Sequence, residues 1–86
     1  MNDNFYYVYI ITSIADPSKK YVGYTQDLNR RLNEHNSLNN DDYTSIGKPW
    51  QLRCFFAFEE KLMAIAFEKH LKASSGRAFV KKYFGI

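Results

Sequence analysis

Residues Phe5–Gly23 read FYYVYIITSIADPSKKYVG, and the fold follows from this stretch. Two short runs, Tyr6-Tyr7-Val8-Tyr9-Ile10-Ile11 and Lys20-Tyr21-Val22-Gly23-Tyr24, are rich in aromatic and β-branched residues, which suit a pleated, half-buried strand. Thr12–Lys19 between them is polar and carries Asp16-Pro17-Ser18, where proline fixes φ and aspartate tolerates a turn. The expectation is a β-hairpin with a long loop. Pairing symmetric about Ala15 sets Tyr9 opposite Tyr21 and Tyr7 opposite Gly23. Side chains alternate faces with a period of two, so Tyr7, Tyr9, Tyr21 and Gly23 then share one face. Two phenols beside a residue with no side chain leave main chain open to approach.

Beyond the hairpin, Thr25 reads as a helix N-cap, with Asp27 in the first turn where the helix dipole favours negative charge. In the helix expected over 26–36, Leu28 and Leu32 stand four apart and face the core. Arg31 and His35, also four apart, form a neighbouring stripe, while Arg30 is turned away by about 100°. The polar segment SLNNDDYTSIG at 37–47 is a long loop ended by Pro49. Trp50, Leu52, Cys54, Phe56 and Phe58 alternate with Gln51, Arg53, Phe55 and Ala57, which predicts a third strand with the first set on its core face.

Over 60–73, Met63, Ala64, Phe67 and Leu71 recur at helical spacing, and Leu62, Ile65 and Ala66 widen the apolar face into that of a buried helix. Glu68 sits inside this pattern. Ser74-Ser75-Gly76 breaks the helix, and a last one over 77–84 buries Phe79, Val80, Tyr83 and Phe84, with Gly85 as its stop. The expected class is α/β, of the α+β kind: a three-stranded, mainly antiparallel sheet with about three helices.

The 86 residues suffice for one domain with one modest core, expected to span 1–86 with a disordered lead-in at 1–4. The single cysteine, Cys54, excludes an internal disulfide and fits a reducing compartment. The chain has no apolar run of membrane-spanning length, and MNDNF lacks the basic-then-apolar pattern of a signal peptide. The expected setting is the cytoplasm, with no membrane partner and a monomer by default. A net charge of +3 leans mildly towards an anionic partner, and the abundant tyrosine and phenylalanine can stack on bases as well as fill a core.

Tyr7-Val8-Tyr9, then Tyr21-Val22-Gly23 about ten residues later, resembles the signature of the GIY-YIG nuclease domain. Residues 24–36, YTQDLNRRLNEHN, are similar to the family's arginine-bearing first helix, and Ala66-Phe67-Glu68-Lys69-His70-Leu71-Lys72 to the helix with its catalytic glutamate. Lys48-Pro49-Trp50 and Ser75-Gly76-Arg77-Ala78-Phe79 are similar to small stand-alone members related to the excinuclease nuclease domain. The resemblance spans nearly the whole chain. It implies a divalent-metal-dependent endonuclease that hydrolyses phosphodiesters in nucleic acid, DNA first, in a setting such as DNA repair.

By the same resemblance, Glu68 holds Mg²⁺ or Mn²⁺, whose other positions are water and phosphate oxygens. Arg31 stabilises the phosphate as it gains charge, for which its planar, permanently charged fork is suited. Tyr9 or Tyr21 handles the attacking water. A free phenol near pKa 10 needs a cation to become a base at neutral pH, and His35 is the rival because its ordinary pKa already suits. Gly23, Tyr24 and Lys72 are expected to meet substrate. Two positions depart from the family pattern: Tyr7 replaces the first glycine, and no asparagine follows Glu68, leaving Lys72 or Ser74-Ser75 to take over its support of the site. Without the resemblance, Glu68 and Arg31 are solvated helix residues and the tyrosines are strand aromatics. The rival function is a nucleic-acid-binding module of the same fold with little or no turnover; a protein-interaction domain using the C-terminal aromatic helix is a third.

Overall fold

The hairpin forms where its composition predicts, in a computed structural model that describes residues 4–37 and 46–86. Residues 1–3 of the expected lead-in at 1–4 and residues 38–45 of the polar loop lie outside the described residues. Strand β1 (Tyr6–Ser13) occupies the centre of an antiparallel sheet, with β2 (Lys20–Thr25) on one side and β3 (Trp50–Phe58) on the other. Helix α1 (Leu28–His35) follows β2, and α2 (Lys61–Lys72) and α3 (Ser74–Phe84) follow β3.

The hairpin register differs from symmetry about Ala15. Tyr9 faces Gly23, Tyr7 faces Thr25, and Tyr21 faces Ile11. The loop decides this. Ser13 N–H donates to the Lys19 carbonyl at 3.0 Å, Lys19 N–H to the Asp16 carbonyl at 2.9 Å, and Ser18 N–H to the Asp16 carboxylate at 3.2 Å. The turn is therefore centred on Asp16. A shift of two residues preserves the faces, because the side-chain period is also two.

Odd-numbered β1 residues and their partners face α1, where Tyr9, Ile11 and Trp50 are buried with Tyr21, Leu28 and Leu32 against them. Even-numbered residues face α2 and α3, where Val8 and Ile10 pack with Ala64, Leu71 and Val80. Each of the larger apolar side chains contributes about 1.5–3 kcal/mol on full burial, so both faces of the central strand stabilise the fold. Helices thus cover both faces of the sheet.

β3 does not present a single core face. Ile10 pairs with Cys54 but Ile11 with Leu52, so Arg53 is an extra residue in a bulge. Cys54, Phe56 and Phe58 pack on the α2–α3 side, whereas Trp50 crosses to the α1 side. In α2, Leu62 and Met63 are 77% and 58% exposed, contrary to the wide buried face expected. A helix lying on a three-stranded sheet presses one stripe against it, and that stripe is Ala64, Phe67, Glu68 and Leu71.

The N-cap of α1 is Asp27 rather than Thr25: its carboxylate accepts from Arg30 N–H at 3.1 Å, while Thr25 Oγ1 accepts from the Asp27 N–H just ahead of the helix. Ala73 alone separates α2 from α3, in extended conformation, and Ser74–Gly76 belong to the first turn of α3. Within α3, Val80 is buried but Tyr83 and Phe84 are exposed. Gly85, at φ +70°, ends the helix as expected.

Gly76 is what lets α3 turn so tightly off α2, because a Cβ there would overlap the His70 carbonyl oxygen and Leu71 Cα. Alanine would gain about 1 kcal/mol of helix propensity. Main-chain overlap cannot relax by a rotamer change and costs about 3 kcal/mol. Gly76→Ala should therefore lower the melting temperature by roughly 10 °C. A thermal melt that rises instead would show that the junction has room.

Candidate active site

The side chains singled out in the sequence come together on the α1 side of the sheet and along its β2 edge. Tyr9 is buried at its centre, and its hydroxyl is hydrogen-bonded to His35 Nε2 at 2.8 Å. The rings of Tyr9 and Tyr21 lie 6.3 Å apart, and both approach His35, at 5.8 and 5.1 Å between centroids. Gly23 lies opposite Tyr9, and a Cβ there would come within 2.6 Å of the Tyr9 hydroxyl and 3.0 Å of the Tyr21 ring. The space left by the missing side chain is filled by the protein's own phenol. That corrects the expectation of main chain left open beside Gly23.

Helix α1 sets the remaining geometry. Arg31 and His35 share a stripe one turn apart, as their spacing requires. The Arg31 guanidinium is hydrogen-bonded to the hydroxyls of Tyr9 and Tyr21 and pairs with Glu34 at 3.1 Å. Arg30 points elsewhere and pairs with the other Glu34 oxygen at 3.0 Å. His35 is fully buried, so it meets Tyr9 and not solvent. The depth of α1 is fixed by Asn36, which helical spacing alone marks only as the helix end. Its Oδ1 accepts from Trp50 N–H at 2.6 Å and its Nδ2 donates to the Trp50 carbonyl at 3.1 Å. No local signal could have revealed this, because the partner strand lies across the polar loop.

Glu68 reaches the same place from α2. Lys72 Nζ donates to its carboxylate at 3.4 Å and stands over the Tyr21 ring, 5.9 Å from the centroid. Glu68 is close enough to Tyr9 to act on it electrostatically. Tyr24 is not part of the assembly: it packs with Val8 and Ile10 on the opposite face.

Burial pushes the Tyr9 hydroxyl up to about 12, a rise that Tyr21 and Glu68 reinforce and the Arg31 guanidinium opposes. For Arg31, partial burial disfavours the charge, but Tyr9, Glu34 and Tyr21 outweigh it and hold the proton more firmly than in free arginine. The patch therefore offers a fixed cation beside two phenols, with the Glu68 carboxylate at the rim and the Glu34 carboxylate on Arg31. The catalytic-domain model of the GIY-YIG family matches residues 5–83.

The chain belongs to the GIY-YIG family. It is 40% identical over 73 residues to a UPF0213 protein of Haloquadratum walsbyi, covering 85% of this chain and 79% of that one. It is 36% identical over 66 residues to the structure-specific endonuclease subunit SLX1 of Malassezia globosa, covering 73% of this chain but only 15% of the relative. Among solved structures, the NMR structure of a UPF0213 protein of Bacillus halodurans superposes with a TM-score of 0.56 at 30% identity, over 94% of this chain and 87% of that one. The three-stranded antiparallel sheet with three helices, of the α+β class, is the fold shared with this neighbour. No helix among the described residues is long and apolar enough to cross a membrane.

Proposed function

We infer that this GIY-YIG chain is a divalent-metal-dependent endonuclease that hydrolyses phosphodiester bonds in DNA. The observation that carries the reading is the convergence of Arg31 on the Tyr9 and Tyr21 hydroxyls beside the Glu68–Lys72 pair. The SLX1 relatives, which this chain matches over a small part of their length, are subunits of structure-specific endonucleases.

Glu68 is the residue to hold Mg²⁺ or Mn²⁺. Its carboxylate is partly open to solvent, and the described residues contain no group of three or more His, Cys, Asp or Glu that could hold a metal. One carboxylate with water and substrate phosphate suits Mg²⁺, which dehydrates reluctantly. When bound, the ion supplies Lewis-acid stabilisation of the leaving oxygen. Arg31, held in place by the phenols, neutralises charge developing on the phosphate.

Tyr21 is the group that meets the attacking water. Tyr9 is buried, its hydroxyl is engaged by His35, and its proton is held up to about 12. His35 has no surface at all. These two orient the site and Tyr21 works at its mouth, where its hydroxyl oxygen accepts a hydrogen bond from the attacking water and orients it, the water's proton leaving to solvent. Lys72 meets substrate from the opposite side.

Flapped, branched and plain duplex DNA, incubated with excess protein and Mg²⁺, test the reading. Cleavage should appear, stop with EDTA, and fall about a hundredfold in Tyr21→Phe. Tyr9→Phe should lose less. Cleavage indifferent to EDTA, or none on any substrate, would overturn it. The second outcome favours a binding module without turnover, which the lack of an asparagine after Glu68 supports.

A further inference from the structure

A second feature borders this site. Between the β2 edge and the α2–α3 junction lies a cavity of about 310 Å³ lined by Lys20, Tyr21, Val22, Leu71, Lys72 and Arg77. Three of the six are cations and none is acidic. Tyr21, Val22 and Leu71 form an apolar floor. Two lining residues, Tyr21 and Lys72, are also walls of the candidate active site, so the two spaces are contiguous.

We propose that this cavity seats the nucleotide next to the scissile phosphate, with its backbone phosphate on Arg77 and Lys20 and its sugar or base on the Tyr21–Val22–Leu71 floor. The volume is at the lower end of ligand pockets and suits one nucleotide rather than a larger ligand. Arg77 is exposed in the first turn of α3, and among the described residues no carboxylate pairs with it. Its planar fork is of the geometry that takes two phosphate oxygens. Lys20 Nζ lies at the cavity with its ammonium aimed by the Ile86 main-chain oxygen at 3.3 Å. Lys72 Nζ stands at the boundary, towards Glu68 on one side and the cavity on the other. A strand crossing Tyr21 thus passes from the carboxylate to the paired cations. This assignment rests on the nuclease reading for the identity of the neighbouring site, but its binding part does not need turnover.

Sequence alone could not have joined these residues, since Lys20 and Arg77 are brought together only by α3 folding back beside β2.

The test compares Arg77→Ala and Lys20→Ala with Lys61→Ala, which removes the same charge from an exposed position at the other end of α2. Binding of a fluorescent oligonucleotide is read by anisotropy in EDTA, and single-turnover cleavage is read in Mg²⁺. Arg77→Ala should weaken binding roughly tenfold, the worth of one charge-assisted hydrogen bond. It should also lower the slope of log affinity against log salt by about one. Single-turnover cleavage at sub-saturating protein should fall by the same factor as binding. Deoxynucleoside monophosphate should compete through Arg77 more strongly than inorganic phosphate does, because only the nucleotide uses the apolar floor. Equal losses in Arg77→Ala and Lys61→Ala would overturn the cavity assignment, as would equal competition by phosphate or no binding by wild type. Binding that depends on Arg77 in a protein that never cleaves would keep the cavity and reject the nuclease.

Discussion

Glu68→Gln is expected to abolish Mg²⁺-dependent cleavage while leaving the fold intact. The substitution keeps the size and shape of the side chain and leaves an oxygen to accept from Lys72, which now donates at 3.4 Å. What it removes is the negative charge that a divalent cation requires. Loss of the Lewis acid is worth several kcal/mol in the transition state, or about a thousandfold in rate. The competing view treats Glu68–Lys72 as an ordinary i,i+4 ion pair, worth about 0.3–0.5 kcal/mol and unrelated to turnover. The two views differ by orders of magnitude in a single-turnover assay. Titration calorimetry with Mn²⁺ gives an independent reading: binding present in the wild type should vanish in Glu68→Gln. Cleavage within threefold of wild type would remove Glu68 from the chemistry.

Arg31→Ala should lose cleavage about a hundredfold or more, as removal of one transition-state donor does. Binding to uncleaved DNA should fall much less, because affinity sums over several phosphate contacts. Arg30→Ala is the matched control, with the same charge removed from the same turn and the same partner, Glu34. Their surroundings separate them: the Arg30 side chain is 63% exposed, whereas that of Arg31 is 28% exposed and held by Tyr9 and Tyr21. Arg30→Ala should show a modest binding loss and nearly intact cleavage of bound substrate. Because Arg31 is tied to two phenols, thermal melts must accompany the kinetics. Equal kinetic losses in two folded variants would mean that the phosphate is not seated at the Arg31 side of α1.

The sequence by itself determined the elements, the faces of the hairpin and of α1, and the pairing of functional groups within an element. Period-two alternation assigned Tyr7, Tyr9, Tyr21 and Gly23 to one face, and that assignment survived the displaced hairpin register because the displacement was even. Helical spacing put Arg31 and His35 on one stripe and turned Arg30 away. These are local properties, set by backbone geometry within a few residues. Tertiary structure alone decided the rest. The bulge at Arg53 sent Trp50 to the α1 side, and the narrow sheet left Leu62 and Met63 exposed. Asn36 anchored on Trp50 and set the depth at which His35 meets Tyr9, and the tip of Tyr9 claimed the space over Gly23. The approach of Glu68 and Lys72 to Tyr21 is of the same kind. Each of these depends on distances between residues far apart in the chain, where side-chain volume and packing rather than periodicity fix position.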